Sequence, residues 1–522
     1  MDRIKAQLFT SQVGYLVLVM VTLIPRLALA HSLDLITDEG VYIPNGRKDV
    51  LLLLHGALLN HHWLDNLEAP AYPKIWMGFG SFIGQWLWGN AGILWGARLA
   101  GIALCAASIV VMVHLARPIV GTAGAYLGGI FLALSPWLTY FSSLAYLDMY
   151  MVNFAAIAIL LTWHAVRKPP LFLLVGALLG FAMASKYTAI AAVVPIVGYI
   201  CYRHFRYGAT FQRGMLLATC GVFGGVFFLA DPALWGNPPV RFVQSFGFQF
   251  VHAHIGHTVF WFGQTWEHVP LGLGLLMVVA KISLFIIIPA GGFLALYSAR
   301  AALRRWPADQ HAFLFCWVVG LSAPLSLLTI IVGTHYLLPL APAIAFTAAR
   351  GLVLAVRQSA IFVHNQSEQR RWGTVSVKKT AAIGLLIVAL VAILPSAAAL
   401  VTVNQGEGYT SEWLPGENGA LQVAYPAYLD ALVWVARHTH GPVKVALIAL
   451  PYTLDYWRQF RAHAAPARVT LLIGSPDNIP PADFVIWPMH LVQRHFPIPL
   501  GWRHHIAATI TGGSTTYCYI LT

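Results

Sequence analysis

The chain has 522 residues, of which 58% are hydrophobic and 10% charged, with a mean hydropathy of +0.69. A soluble domain carries about 25% charged residues, so a water-solvated globule is excluded and a chain solvated largely by lipid is implied. The formal charge of +13 would suggest a nucleic-acid partner in a soluble protein, but its placement along the chain points to membrane topology instead.

A helix that crosses a bilayer needs about 20 apolar residues. In chain order, about eleven segments fit, some of them short: 8–30, 95–115, 119–138, 150–166, 171–186, 188–203, 213–231, 271–297, 312–332, 335–355 and 380–403. With the N-terminus in the cytoplasm, the cytoplasmic connections carry Arg3, Lys5, Arg117, Arg167, Lys168, Arg203, Arg206, Arg213, Arg300, Arg304, Arg305, Arg357, Arg370, Arg371, Lys378 and Lys379. Their acids are Asp2, Asp309 and Glu368. This is the asymmetry of the positive-inside rule. Contact with anionic lipid then accounts for the net charge, and no nucleic-acid partner is needed. Ala28-Leu29-Ala30 before His31 resembles a signal-peptidase site; cleaved or retained, the segment after it stays outside.

Three long segments fall on the extracytoplasmic side: 31–94, 232–270 and the tail 404–522. The expected division is a transmembrane domain over 1–403, with the first two segments as outer loops, and a small α/β domain over 404–522. In the tail, 443–450 (VKVALIAL), 468–475 (RVTLLIGS) and 482–488 (ADFVIWP) read as buried strands. Residues 505–522 read as a terminal hairpin, and 426–438 has helical apolar spacing. Four of the five cysteines lie in apolar segments, and none forms a metal-ligand pair or a disulfide framework. No repeat of fixed period is visible.

Ionisable residues collect where spans meet the outer side. Asp38 and Glu39 follow the first span, with Glu68, Lys74 and Arg98 further on. Asp148, Lys186, Asp231, Lys281, His335 and Tyr336 sit at or near span ends, and His252, His254 and His257 lie in the second outer loop. Charge at a span is costly, so its default reading is functional. Such a set suits group transfer at the interface: a carboxylate takes a proton from an acceptor hydroxyl, and lysine or arginine holds a phosphate as it leaves. Bland alternatives stand beside this. Loop carboxylates are mostly solvated, and cations at span ends mostly snorkel to headgroups. The histidines fit no recognised ligand spacing, so a divalent metal on Glu68, His254 and His257 is the weaker reading. No cofactor is otherwise indicated. Lys281, inside a span, needs a partner such as Asp231 or a lipid phosphate.

Several segments, taken in order, resemble the bacterial branch of the protein O-mannosyltransferases (glycosyltransferase family 39 and its relatives, including the aminoarabinose transferases of lipid A). Residues 37–40 (TDEG) resemble the Asp-Glu signature after the first span. Residues 68–74 (EAPAYPK) resemble a Glu-His-Pro-Pro-Leu-x-Lys motif, departing from it at Ala69 and Ala71. Residues 95–101 (WGARLAG), 134–150 (LSPWLTYFSSLAYLDMY), 180–189 (GFAMASKYTA), 231–239 (DPALWGNPP), 254–263 (HIGHTVFWFG) and 335–342 (HYLLPLAP) are also similar to family elements.

The resemblance implies an all-α polytopic membrane protein of the C-type glycosyltransferase fold with a small extracytoplasmic α/β domain. It implies an inverting enzyme that moves a hexose or pentose from a polyprenyl-phosphate carrier to a hydroxyl of a protein, lipid or glycan. In that reading Asp38 is the base, and Glu39 shapes its field or binds the acceptor. Lys74, Arg98 and Lys186 bind the carrier phosphate, and Asp148 orients a cation or the sugar. Glu68, His254, His257, Lys281, His335 and Tyr336 complete the substrate site. The setting is the plasma (inner) membrane, with lipids, donor and acceptor as partners. The alternative is a transporter, or a flippase or polymerase of lipid-linked glycans.

Overall fold

The computed structural model describes residues 2–66, 69–209, 212–255, 259–261, 263–267, 270–303, 308–327, 333–369, 376–402, 407–414, 423–450, 468–503, 505–513 and 515–522. The chain opens with α1 (Asp2–Ser32), α2 (Thr37–Leu54), α3 (Ala71–Trp88), α4 (Gly92–Val120), α5 (Thr122–Leu134) and α6 (Pro136–Ser142). It continues through α7 (Leu147–Ala165), α8 (Leu171–Met183), α9 (Val193–Tyr207), α10 (Arg213–Ala230) and α11 (Pro238–Ile255). A small hairpin of β1 (Val259–Trp261) and β2 (Gln264–Trp266) precedes α12 (Leu273–Lys281), α13 (Leu284–Ala302), α14 (Asp309–Ser326), α15 (Leu340–Gln369) and α16 (Val377–Thr402).

Among the described residues eight stretches are long and apolar enough to cross a membrane, and α5 and α8 are shorter apolar helices. Each of the segments expected to span falls on one or more of these helices except 312–332, which falls on α14, with residues 328–332 outside the described ones. The difference lies in 31–94, expected as a loop. It folds into α2 and α3, and α3 continues into α4 as one 50-residue apolar stretch. Glycines and polar residues dilute the hydropathy of α3, but the glycines are its packing surface. A Cβ at Gly80 would stand 2.3 Å from the Gly96 carbonyl oxygen, and one at Gly84 would stand 2.0 Å from that of Gly92. Backbones in such close approach are the small-residue mode of membrane helix packing. By contrast, α10 buries none of its residues, as a lipid-facing helix should.

Two polar nodes hold the bundle. Arg26, fully buried in α1, donates to the Leu132 and Ala133 carbonyls at the end of α5 (3.3 and 2.8 Å) and to Ser142 Oγ (2.7 Å). A buried guanidinium in a span is tolerable because these acceptors, with the Thr22 carbonyl (3.0 Å), engage four of its five N–H donors. At the far ends of α7 and α9, Asp309 accepts from Arg167 (2.5 Å), Arg203 (2.7 Å) and the Tyr199 hydroxyl (3.1 Å). Those residues come from three connections that the charge pattern places on one side.

The tail carries α17 (Tyr428–His438) and a five-stranded sheet of β3 (Val443–Ile448), β4 (Val469–Gly474), β5 (Phe484–Pro488), β6 (Ile506–Gly512) and β7 (Thr515–Leu521). The strand order is β4-β3-β5-β7-β6. β3 runs parallel to β4 and β5, while β7 runs antiparallel to β5 and β6. The three apolar runs and the terminal hairpin expected from sequence are all present. Burial explains their legibility: β3 and β5 are nearly continuous apolar strands because both faces are covered.

The tail is docked on the bundle. Asp34 Oδ2 accepts from the Leu429 N–H at the start of α17 (2.8 Å), and the Tyr425 hydroxyl lies 3.1 Å from the Asp34 N–H, which donates to it. Glu412 accepts from Ser283 Oγ and the Leu284 N–H (both 2.8 Å), placing a carboxylate at the N-terminus of α13.

Candidate active site

The candidate residues sort into three settings. The first is built around the N-terminus of α2. Asp38 accepts from the Tyr146 hydroxyl at 2.5 Å. The sequence prepares Tyr146 locally. Ser135 caps α6, accepting from the Leu138 N–H, and Pro136 follows at the first helical position. The chain then turns through 143–146 and starts α7 with Asp148 in its first turn. Burial pushes the Asp38 carboxyl above its ordinary value. The Tyr146 hydroxyl, then the Lys186 and Arg494 charges, pull it back, while Glu39 adds to the rise.

Lys186 sits where the helical run breaks after α8, in extended backbone between Met183 and a 3-10 turn over Tyr187–Ala192. Its ammonium donates to both Asp148 oxygens (2.8 and 2.9 Å) and lies 3.9 Å from the centre of the Tyr336 ring. His335 packs edge-on against Tyr146, with ring centres 5.2 Å apart. Thr334 fixes this turn by accepting from Trp137 Nε1 (3.0 Å). Asp38, Tyr146, Asp148, Lys186, His335 and Tyr336 are therefore linked by contacts into two adjoining groups, Asp38–Tyr146–His335 and Asp148–Lys186–Tyr336, joined where the His335 and Tyr336 rings meet at 4.5 Å.

Glu39 and Arg98 stand just behind it, both essentially inaccessible. Arg98 Nε and Nη2 reach the two Glu39 oxygens (2.7 and 2.6 Å). Its remaining donors go to the carbonyls of Ala30, Leu33 and Asp34 (2.7 to 2.8 Å). A guanidinium has five N–H donors, and all are engaged. Glu39 also accepts from the Ala145 N–H (2.8 Å) and the Ile36 N–H (3.2 Å). The pair thus clamps the chain on either side of Asp38 to the loop that carries Tyr146.

The second setting lies eleven residues along α2, about 16 Å from Asp38 at 1.5 Å per residue. Lys74, buried, donates to Asn66 O and Oδ1 (both 3.1 Å) and to the Ala69 carbonyl (2.9 Å). Its charge acts on Asp49, whose carboxyl is pushed up to about 6 by burial. Asp231 accepts from the Ala71 N–H (3.0 Å). The third setting is the junction with the tail. Lys281 donates to the Glu407 and Tyr409 carbonyls (2.5 and 2.9 Å). The partner expected for it from sequence was Asp231 or a phosphate; the tail supplies carbonyls instead.

Glu68 and His257 lie outside the described residues, as does the side chain of His254. Among the described residues no group of three His, Cys, Asp or Glu side chains is placed to hold a metal ion. Three residues escaped the sequence reading. Tyr146 lay inside a quoted segment (134–150) but was not singled out. Asp49 sits in a stretch expected as loop. Arg494, in the tail, carried no signal at all.

Stacked helices with an acid–cation cluster under a small docked domain define a polytopic membrane protein of the C-type glycosyltransferase fold. The resemblance carried by the motifs is borne out: residues 87–235 match the family model described as dolichyl-phosphate-mannose-protein mannosyltransferase. The fold is similar to that of ArnT from Cupriavidus metallidurans in the apo state, at 15% identity and a TM-score of 0.53, covering 99% of this chain and 98% of that one. The undecaprenyl-phosphate-bound form of the same protein gives 16% identity and a TM-score of 0.49, over 99% and 98% of the two chains. An Archaeoglobus fulgidus oligosaccharyltransferase, in complex with zinc and sulfate, is similar at 12% identity and a TM-score of 0.52, over 92% of this chain and 68% of that one. No curated protein matches the sequence.

Proposed function

We propose that the chain is an inverting glycosyltransferase that moves a sugar from a polyprenyl monophosphate to an acceptor hydroxyl on the extracytoplasmic side of the plasma membrane. The observation that carries this reading is the arrangement of Asp38 beside the Lys186–Asp148 pair at the ends of several helices. A base and a phosphate-binding cation then face one reacting centre. The family match at 87–235 supports a polyprenyl-phosphate donor. The basic connections support a cytoplasmic N-terminus and an extracytoplasmic tail.

In this mechanism Asp38 takes the acceptor proton as the hydroxyl oxygen attacks the anomeric carbon. The bond from that carbon to the phosphate oxygen breaks, and its electron pair stays on the phosphate. Lys186 meets the growing negative charge, and Asp148 orients Lys186. His335 and Tyr336 wall the sugar site. Glu39 and Arg98 are positioning residues, since their hydrogen bonds are spent on the scaffold. Lys74 and Lys281 serve as buried anchors for the first loop and for the tail. Glu68, His254 and His257 remain candidates for the substrate site, with a divalent metal there as the further option. The domain division at 403/404 follows the end of α16 at Thr402.

The test is transfer of labelled sugar from a panel of polyprenyl-phosphate hexoses and pentoses by purified protein. Activity with one donor, lost in Asp38→Asn at unchanged expression and membrane insertion, is the expected result. Full transfer by Asp38→Asn would remove the assignment.

A further inference from the structure

Arg26 spends four donors on carbonyl and hydroxyl oxygens, Arg98 spends all five, and Arg167 and Arg203 meet Asp309. Arg350 is different. It lies half-buried in α15, within a stretch long and apolar enough to cross a membrane. Its one hydrogen bond among the described residues is a long donation from Nη2 to His311 Nε2 (3.4 Å). Its Nε is buried without a partner, and no carboxylate among the described residues pairs with it. A guanidinium short of acceptors inside a span is costly, and an anion from outside the chain would supply them.

Two ladders of side chains lead from this point toward the end of the bundle away from Asp38. Arg357 follows Arg350 on α15 by seven residues, about two turns, so both stand on one helix face. Arg300 follows Phe293 on α13 by the same interval. His311, in the first turn of α14, touches the first member of each ladder: Arg350 through the hydrogen bond, and Phe293 edge-on with ring centres 5.1 Å apart. The backbones of α13 and α15 meet at the same level, since a Cβ at Gly351 would stand 2.6 Å from the Pro289 carbonyl oxygen. α15 starts just after Tyr336 of the pocket, and Arg357 lies about 25 Å further along it than Leu340. α13 starts where Glu412 of the tail is bound, and Arg300 lies about 24 Å beyond Leu284. The cluster therefore opens at the opposite membrane surface.

Arg300 and Arg357 are exposed there, with Arg350 as the floor. The Arg300 charge acts on His311, and that of Arg357 on Arg350. The neighbouring acid is turned away. Asp309 precedes His311 by two residues, about 200° around the helix, and its oxygens accept from Arg167, Arg203 and Tyr199. Leu296, Leu303 and Phe362 are exposed on the same helices or just past their ends and offer apolar surface to an acyl chain. We infer that Arg350, Arg300, Arg357 and His311 form a site for the phosphate of an anionic lipid in the leaflet opposite the Asp38 pocket. The guanidinium of Arg350 forks onto the phosphate oxygens, its orientation is held by His311, and the two exposed arginines close the rim. Basic sites between helices suit such headgroups, and a lipid seated here ties α13, α14 and α15 together.

The probe is phosphatidylglycerol titrated into the full chain in detergent, against phosphatidylcholine of the same chain length, with bound lipid counted by native mass spectrometry. The parent is expected to prefer phosphatidylglycerol. R350Q is expected to weaken its binding about tenfold, as loss of a charge-assisted hydrogen bond implies. R300Q/R357Q, whose changes are at exposed positions, reads the same site should R350Q fold poorly, and is expected to lose at least as much. K168Q/R213Q, which removes two exposed cations from the same end of the bundle, is expected to bind as the parent does. Equal binding of the two lipids by the parent overturns the inference, as does parent-like binding by R300Q/R357Q. An equal loss in K168Q/R213Q would show a diffuse basic surface and overturn the site. Displacement of the lipid by inorganic phosphate at equal concentration would make free phosphate the ligand and overturn the lipid assignment.

Discussion

The Tyr146 hydroxyl donates to Asp38 across 2.5 Å, joining the loop before α7 to the first turn of α2. The hydrogen bond stabilises the ionised carboxylate against burial. Only ionised Asp38 can act as a base, so activity falls on the acid side of its titration. Tyr146→Phe keeps the ring against Phe141 and His335 but deletes the donor. A hydrogen bond to a charged group contributes about 1.5–3 kcal/mol, and one pKa unit corresponds to about 1.4 kcal/mol. The acid limb of kcat/KM should therefore move to higher pH by about one unit or more. An acid limb that stays in place would show that Asp38 is not the titrating base.

Arg98 gives a different expectation. With all five donors engaged by Glu39 and three carbonyls, it has none left for a phosphate. Breaking a buried pair by removing one partner costs about 3–5 kcal/mol. Arg98→Ala should lose most of its folded yield and melt far below the parent, and Arg98→Lys should rescue little, since an ammonium has three donors. Glu39→Gln with Arg98→Met should recover part of the loss by removing both charges. Thermal melting of detergent-purified protein measures this. A well-folded Arg98→Ala that binds carrier poorly would restore a direct phosphate role.

Lys186 and Lys74 looked alike in sequence, each a lysine within a family-like segment and each expected to bind the carrier phosphate. The structure separates them by what they touch. Lys186 meets Asp148 and the Tyr336 face, whereas Lys74 is tied to Asn66 and Ala69 in its own loop. Lys186→Met should raise the KM for carrier at least tenfold, and it should also lower the melting temperature, since it leaves Asp148 buried without its counter-charge. Lys74→Met should lower the melting temperature and leave the KM of the surviving protein within a few-fold. Steady-state kinetics beside melting curves decide it, and the reverse pattern would exchange the two roles.

The spans and the tail strands were legible because burial imposes a simple code: long apolar runs for lipid, short ones for a covered sheet. The Asp38–Lys186–Asp148 group was legible because charge at a span has few uses other than function. The division of labour within the charged set was not. Glu39 is adjacent to Asp38, yet successive helical residues lie about 100° apart, and this sends one carboxylate to the pocket and the other into the scaffold. The placement of the turn at Gln493 is invisible in sequence because it depends on contacts with Val423 and Thr265, 70 and 228 positions away, and on docking of the tail through Asp34, 395 positions from Leu429. The helix α3 was hidden because its packing residues are glycines, which lower hydropathy while they tighten the fold.

Asp34 predicts a pH dependence of docking. Its oxygens accept from the Leu35 and Leu429 N–H groups (both 2.8 Å), yet burial dominates and pushes the carboxyl up to about 6 from 3.8. Between those values the folded state holds a proton that the unfolded chain has released. Stability from this group is therefore greatest below about 4, falls as pH rises through 6, and is level above that. A shift of about two units corresponds to roughly 3 kcal/mol. Asp34→Asn removes the titration but keeps one acceptor oxygen, so its cost does not depend on pH. The difference in melting temperature between parent and Asp34→Asn should then shrink in the variant's favour as pH is raised from 4.5 to 7. Asp49, also pushed up to about 6, adds the same trend to both proteins and cancels in the comparison. A difference that stays constant across this range would mean that Asp34 is ionised throughout, and that the junction between bundle and tail is open to water.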